Sequence, residues 1–88
     1  MYKNKNGNRN NICGERIRAL RLGHTPALSQ RALADMLQLA GLDLDKNAIQ
    51  RIESGSRFIT DIELEAFSKV FEISVSDLYP AFKKDAGD

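Results

Sequence analysis

SQRALADMLQLAGLDLDKNAIQRIE, residues 29–53, decides the fold, because it holds two short helical patterns separated by a turn that contains Gly41. The second pattern begins after Asp45 and places Ile49 and Ile52 on one side, at the spacing of an inward helical face. Two helices joined by a short turn form the arrangement called a helix-turn-helix.

The opposite face of the second helix carries polar side chains that a hydrophobic core does not need. Their spacings of three and four residues place them on one stripe. A helix roughly 12 Å long, at 1.5 Å per residue, fits the major groove of DNA, where such side chains can donate to base edges and phosphates. The alternative is the solvated face of a short surface helix. The stripe consists of Lys46, Asn47, Gln50, Arg51 and Ser54.

A chain of 88 residues suffices for one domain with a single modest core. We therefore expect one helical unit with no separate catalytic module and no small-molecule ligand. The apolar runs are too short for a membrane span or a signal peptide, so we expect a cytoplasmic protein without a membrane partner. One cysteine, Cys13, and one histidine, His24, provide no internal disulfide and no zinc-type cluster. We predict no metal, cofactor or catalytic residue.

The net charge of +1 conceals an uneven distribution along the chain. Up to and including Arg57, ten basic and five acidic residues give +5, whereas three basic and seven acidic residues after it give −4. A positive front half suits a polyanion such as DNA, and the acidic rear half would face away from it.

Four helix starts share one pattern, in which an apolar residue precedes a capping residue and a second apolar residue follows four positions later. This is an N-cap with a hydrophobic staple, and Thr60 with Glu63 adds a capping box. The four caps are Ser29, Asp45, Thr60 and Ser74. With a helix before them, we expect an all-α, compact five-helix bundle, its helices spanning about residues 13–22, 30–40, 46–54, 61–71 and 75–79.

Both ends of the chain are predicted to lie outside the domain, which spans residues 12–80. Residues 1–11 hold five asparagines and three basic residues and offer little to bury, which predicts a flexible basic tail. Its composition also permits contact with a DNA groove or phosphate. Residues 81–88 are predicted to be a frayed C-terminal tail.

Several ordered stretches resemble the phage-repressor and Cro type of helix-turn-helix regulator, an XRE-like family. The resemblance covers about residues 12–79 and implies a lambda repressor-like DNA-binding domain. The matching stretches are GERIRALR (14–21), LSQ (28–30), LA (33–34), IQRIESG (49–55), LEAFSKVF (64–71) and ISVSDL (73–78).

The resemblance also implies roles for individual residues. Lys46, Asn47, Gln50 and Arg51 occupy the base-facing positions of the recognition helix. Gln30 lies where family members contact phosphate and support that helix. Phosphate contacts set affinity and position without reading sequence. The implied phosphate-contacting residues are Ser29, Gln30, Ser54, Ser56 and Arg57.

Arg21 and Glu53 lie beside the apolar stripes of their helices rather than on the outward faces. The resemblance implies that they form a structural ion pair that fixes the angle of the recognition helix. The alternative is that they are two unrelated surface charges.

The turn departs from the family pattern. Eleven residues separate Leu37 from Ile49, more than the family usually carries. We therefore expect a lengthened second helix and a turn widened around residues 41–45. Asp45 is better explained as a cap than as a DNA contact.

The sequence predicts a sequence-specific double-stranded DNA-binding transcriptional regulator that acts as a repressor without catalysing a reaction. A homodimer would present two recognition helices to half-sites about 34 Å apart, on an inverted-repeat operator. Candidate dimer residues are Val75, Leu78, Tyr79 and Phe82, which would otherwise close the monomer core.

The alternative function is a protein-interaction module, such as an antitoxin or adaptor, with secondary DNA binding. An exposed apolar patch near Phe58, Tyr79 and Phe82 would favour it. The polar face of the second helix favours DNA, because a purely protein-binding domain has no use for it.

Overall fold

Residues 6–80 of the computed structural model are described here, and they contain four α-helices and one short 3-10 helix without a β-strand. The predictions for residues 1–5 and 81–88, including Phe82 as a dimer residue, lie outside this range. The α-helices are α1 (Gly14–Gly23), α2 (Gln30–Leu39), α3 (Lys46–Ser54) and α4 (Asp61–Phe71), and the 3-10 helix is Val75–Leu78.

Local side-chain caps explain where three of the helices begin. The Ser29 hydroxyl accepts from the Ala32 N–H at 2.9 Å, and an Asp45 carboxylate oxygen accepts from the Ala48 N–H at 2.8 Å. Thr60 forms a reciprocal capping box with Glu63 at the start of α4. These bonds satisfy backbone N–H groups that have no partner in the first helical turn.

The last predicted helix is shorter and of a different kind. It is a single 3-10 helix, and the Ser74 hydroxyl donates to the Asp77 carboxylate at 3.0 Å instead of capping the backbone. Four residues are too few for α-helical hydrogen bonds to propagate, so the tighter 3-10 geometry is adopted.

The connection between α2 and α3 spans residues 40–45. Helix α2 ends at Leu39, one residue before the end expected at about residue 40, and Ala40 is exposed. Gly41 takes a φ of +94°, which favours glycine, and the next N–H, from Leu42, donates to the Leu37 carbonyl at 2.9 Å. Leu44 is buried, so the longer turn is anchored in the core.

The core lies where α3 meets α1 and α2, and where α4 packs on α2 and the 3-10 helix. Burying these side chains provides the main stabilising free energy of the domain. Leu78 is fully buried, so it closes the monomer core and its prediction as a dimer-surface residue is wrong. The largest fully buried side chains are Phe67, Ile17, Leu33, Leu37, Ile49, Ile52 and Leu78.

Residues 9–11, predicted to belong to the flexible tail, hydrogen-bond to the end of α3 and the loop after it. The Asn10 N–H donates to the Gly55 carbonyl at 2.7 Å, and the Asn11 amide donates to the carbonyls of Ile52 and Arg57 at 3.0 and 2.7 Å. The prediction considered only apolar burial, whereas polar side chains here satisfy carbonyls that the helix end leaves unpaired.

The start of α1 packs directly against the backbone of α3. Gly14 donates its N–H to the Asn11 side-chain oxygen at 2.7 Å, and a Cβ added to Gly14 would overlap the Ile52 carbonyl oxygen. A glycine is therefore required for this close approach.

Candidate nucleic-acid interface

The outward face of α3 is exposed along its length. Lys46, Asn47, Gln50 and Arg51 are all exposed, while Ala48, Ile49, Ile52 and Glu53 on the other side are buried. None of the four exposed side chains forms a hydrogen bond within residues 6–80. The face predicted from helical spacing is thus available to an external partner.

Two grooves flank α3. The turn groove, about 340 Å³, lies along α2 and the start of α3, and Lys46 and Asn47 line it together with Asp43 and Asp45. The second groove, about 470 Å³, lies at the other end of α3, and we call it the arginine groove. It is lined by Arg9, Arg18, Gln30, Gln50 and Ser54, and by two carboxylates, Glu15 and Glu53.

Arg21 and Glu53 lie in direct contact between α1 and α3. Arg21 donates through Nε to one Glu53 oxygen at 2.7 Å and through a terminal nitrogen to the other at 2.9 Å. Both residues are buried. Such a bidentate pair fixes the relative orientation of the two helices.

Gln30 joins this pair from the start of α2. Its side-chain amide donates to Glu53 Oε1 at 3.1 Å. Arg21 also donates to the Leu28 carbonyl at 2.8 Å, just before α2. The Glu53 carboxylate therefore connects α1, α2 and α3 at one point.

Arg57, predicted to contact phosphate, is paired with a carboxylate of its own chain. Its guanidinium donates to both oxygens of Glu63 at 2.9 Å and to the Phe58 carbonyl at 2.9 Å. The hydrogen bond to Glu63 raises the pKa of Arg57, although burial opposes it. This pairing reduces the positive charge that Arg57 can offer to a phosphate.

The same contacts act on Glu63. Burial alone would raise the pKa of its carboxyl, but hydrogen bonds from Arg57 and Thr60, with the Arg57 charge, outweigh burial and lower it. Glu63 therefore stays ionised and serves both the capping box and the Arg57 pair.

The three predicted phosphate-contacting serines hold local bonds. Ser29 caps α2. The Ser54 hydroxyl donates to the Arg51 carbonyl at 3.1 Å, and Ser56 lies within 3.3 Å of the Ser54 oxygen. All three are exposed near the ends of α2 and α3, and each hydroxyl retains acceptor capacity.

The sequence prediction missed Arg9 as a site residue. Its guanidinium donates to the Glu53 carbonyl at 2.9 Å and to the Ser54 carbonyl at 3.2 Å, the last two residues of α3. Asn11 was a local signal that this segment is ordered, because an asparagine three residues before Gly14 can accept the N–H of Gly14 through its side-chain oxygen. Nothing in the local sequence indicates the contacts of Arg9 with α3, whose two carbonyls lie more than forty residues away.

Across residues 6–80, no group of three or more His, Cys, Asp or Glu side chains is placed to hold a metal ion.

No helix in the same range has the length and apolar character needed to cross a membrane.

Comparison of the chain with family models, with curated proteins and with solved structures gave no match.

Proposed function

We propose that the protein is a sequence-specific, double-stranded DNA-binding transcriptional regulator of the phage-repressor and Cro type. In this proposal α2 and α3 form a helix-turn-helix, and α3 is the recognition helix. The observation that carries it is the exposed polar face of α3, whose opposite face is buried and held by the Glu53 carboxylate. A rigidly held helix with free hydrogen-bonding side chains is what reading DNA requires.

The residues on that face have the chemistry for base recognition. Arg51 or Lys46 can donate to guanine O6 and N7, and Asn47 or Gln50 can pair bidentately with adenine. Each good pair contributes roughly 1 to 3 kcal/mol of discrimination against the wrong base.

Backbone contacts would come from the ends of α2 and α3. Gln30, Ser29, Ser54 and Ser56 lie there, and Gln30 is held by Glu53 beside the exposed face. These contacts would set the register of the protein on the duplex. We leave Arg57 out of this set, because Glu63 occupies its guanidinium.

The proposed mode of action is occupancy of an operator without catalysis, in the cytoplasm. A homodimer would place two α3 helices in half-sites about 34 Å apart on an inverted repeat. Val75 and Tyr79, both exposed, remain the dimer candidates, whereas Leu78 does not.

Selection of bound duplexes from a random DNA library, at near-physiological salt, tests the proposal. The selected duplex is then titrated against a scrambled duplex of the same length. Enrichment of an inverted repeat that binds at least about a thousandfold more tightly than the scramble is the expected result. Weak, salt-sensitive binding without enrichment would contradict the proposal.

Substitution of Arg51 tests the assignment of the reading face. Arg51→Ala should relax base preference at one position of each half-site, because it removes an exposed side chain that has no hydrogen-bond partner among residues 6–80. Repeating the library selection with the variant measures this. Arg16→Ala is the matched control, since Arg16 donates to the Asp77 carbonyl, at the 3-10 helix. An unchanged selected sequence for Arg51→Ala would remove Arg51 from the reading face.

One observation favours the second candidate function, a protein-interaction module. Ile62 is 70% exposed, and it lines a groove of about 460 Å³ together with Val75 and Tyr79. Apolar side chains gathered around a groove are typical of protein contacts. A library selection without enrichment would favour this candidate, with the apolar groove as its binding surface.

A further inference from the structure

Arg9 lies against the end of α3, whose residues are more than forty positions further along the chain. It places a guanidinium across the C-terminal end of α3, and a Cβ added to Gly55 would lie within about 3 Å of three Arg9 atoms. Gly55 has a φ of +90° and leaves the space that Arg9 fills. The Asn10 and Asn11 bonds hold the backbone that directly follows Arg9.

The hydrogen-bond partners of Arg9 leave its charge available. Its side chain donates to three backbone carbonyls, those of Glu53, Ser54 and Asn11. These acceptors are neutral, and a guanidinium has five N–H groups, so two remain beyond the three used within residues 6–80. Arg57 differs, because a buried carboxylate pairs with it on both oxygens.

The position of Arg9 also opposes the partial negative charge at the end of α3. The C-terminal end of a helix presents unpaired carbonyl oxygens and a partial negative charge, which repels phosphate. Arg9 covers the last two carbonyls of α3 and puts a full positive charge at the groove that Gln50, Ser54 and Gln30 also line.

Two carboxylates lie at the same groove and must be counted. The charge of Glu53 is already compensated by Arg21, and Gln30 donates a further hydrogen bond to the same carboxylate. Glu15 lies 3.7 Å from Arg9, but its side chain is 80% exposed, so water screens this contact strongly. Arg18 adds a second exposed cation to the lining.

We propose that the arginine groove binds a phosphate of the DNA backbone and that Arg9 is its principal cationic ligand. The inference rests on the proposed DNA-binding function and assigns to Arg9 the phosphate contact that the sequence suggested for Arg57. The two remaining N–H groups of Arg9 bind the phosphate oxygens, while two others stay on the Glu53 and Ser54 carbonyls of α3 and the fifth stays on the Asn11 carbonyl. The residues before α1 are thus part of the DNA-binding surface.

Substitution of Arg9 tests this inference, with the selected duplex and its scrambled counterpart as probes. Arg9→Gln should weaken binding to both duplexes by about tenfold, since a charge-assisted hydrogen bond is lost. The ratio of the two affinities should stay constant, because phosphate contacts read no sequence. The slope of log affinity against log salt should become shallower by about 1.

Arg16→Gln is the matched control, because it also removes one positive charge, but from a guanidinium on α1 that donates to the Asp77 carbonyl. It should change the salt slope by much less than Arg9→Gln. Glu15→Gln is the opposing variant and should strengthen binding to both duplexes by roughly two- to threefold, because it removes a carboxylate that competes for Arg9. This variant tests the groove even if Arg9→Gln fails to fold, which circular dichroism detects.

The outcomes separate the inference from the function it rests on. A wild-type protein that binds neither duplex overturns the proposed function, and the inference with it. A wild-type protein that binds specifically, with Arg9→Gln and Arg16→Gln equal in affinity and salt slope, overturns the inference alone. Loss of the specificity ratio in a folded Arg9→Gln would also overturn it, since Arg9 would then act only by positioning α3.

Discussion

Two arginine–glutamate pairs in this protein have nearly the same geometry and different surroundings. Arg21–Glu53 and Arg57–Glu63 are both bidentate, with closest contacts of 2.7 and 2.9 Å. The side chains of the first pair are 9% and 3% exposed, and those of the second are 29% and 9% exposed. The residues of the first pair lie 32 positions apart in the chain and join two helices, whereas those of the second pair lie only six positions apart.

The surroundings of each pair, more than its bond lengths, decide what the pair contributes to the domain and to the proposed site. The Arg21–Glu53 pair lies beneath the proposed reading face, and Gln30 donates a hydrogen bond to its carboxylate. The Arg57–Glu63 pair connects the loop after α3 to the first turn of α4. Because Glu63 binds the Arg57 guanidinium, less of its charge is available to an external anion. One pair therefore shapes the proposed site, and the other removes a charge from it.

The largest effect is expected from Glu53→Ala. Removing this carboxylate leaves Arg21 buried without its partner and frees Gln30, at a cost of about 3 to 5 kcal/mol in the free energy of unfolding. Urea denaturation followed by circular dichroism measures it. Glu65→Ala, at an exposed position of α4, is the control and should change stability by less than about 0.5 kcal/mol. A loss from Glu53→Ala as small as that of the control would mean that the buried pair does not hold α1 to α3.

A smaller effect is expected from Arg57→Ala. Its pair is partly exposed, and Glu63 keeps its capping bonds, so the free energy of unfolding should fall by about 1 kcal/mol. DNA affinity should stay within about twofold of wild type, because a guanidinium held by Glu63 makes no phosphate contact that the substitution could remove. Titration at several salt concentrations measures this. A salt slope shallower by about 1 would show that Arg57 leaves Glu63 to bind phosphate and would restore the sequence prediction.

The smallest effect concerns pH and Glu63. The folded pKa of this carboxyl lies below its ordinary value of 4.5, so its stabilising contribution is present above that value and lost as pH falls through the folded pKa. Glu63→Gln should therefore be less stable than wild type near neutral pH, and the difference should shrink in acid. Urea denaturation across a pH series measures this, with Glu65→Gln as the control. Parallel stability curves for wild type and Glu63→Gln would contradict the assignment.

The sequence predicted the features that local chemistry determines. Ser29, Asp45 and Thr60 cap their helices as expected, because a cap and its N–H partner lie within three residues. The inward and outward faces of α3 also agree with the structure, since helical periodicity alone separates Ile49 and Ile52 from the exposed polar residues.

The features that were missed depend on contacts between distant parts of the chain. Arg9 bonds to carbonyls of α3, and backbone carbonyls carry no sequence signal. Leu78 has the same apolar character whether it faces the core or a partner. Arg57 was the exception, because Glu63 of a predicted capping box lay only six residues away and could have been recognised as its partner.

Cys13 lies at the start of α1, only 3% exposed, and is the single cysteine of the chain. Burial raises the pKa of its thiol, so the reactive thiolate is scarce in the folded state. A thiol-specific reagent will then modify the protein only when the first helix opens away from its neighbours. The chain has no tryptophan to report unfolding by fluorescence. The rate at which Cys13 is modified therefore measures how often this region opens, in the wild type and in each variant above.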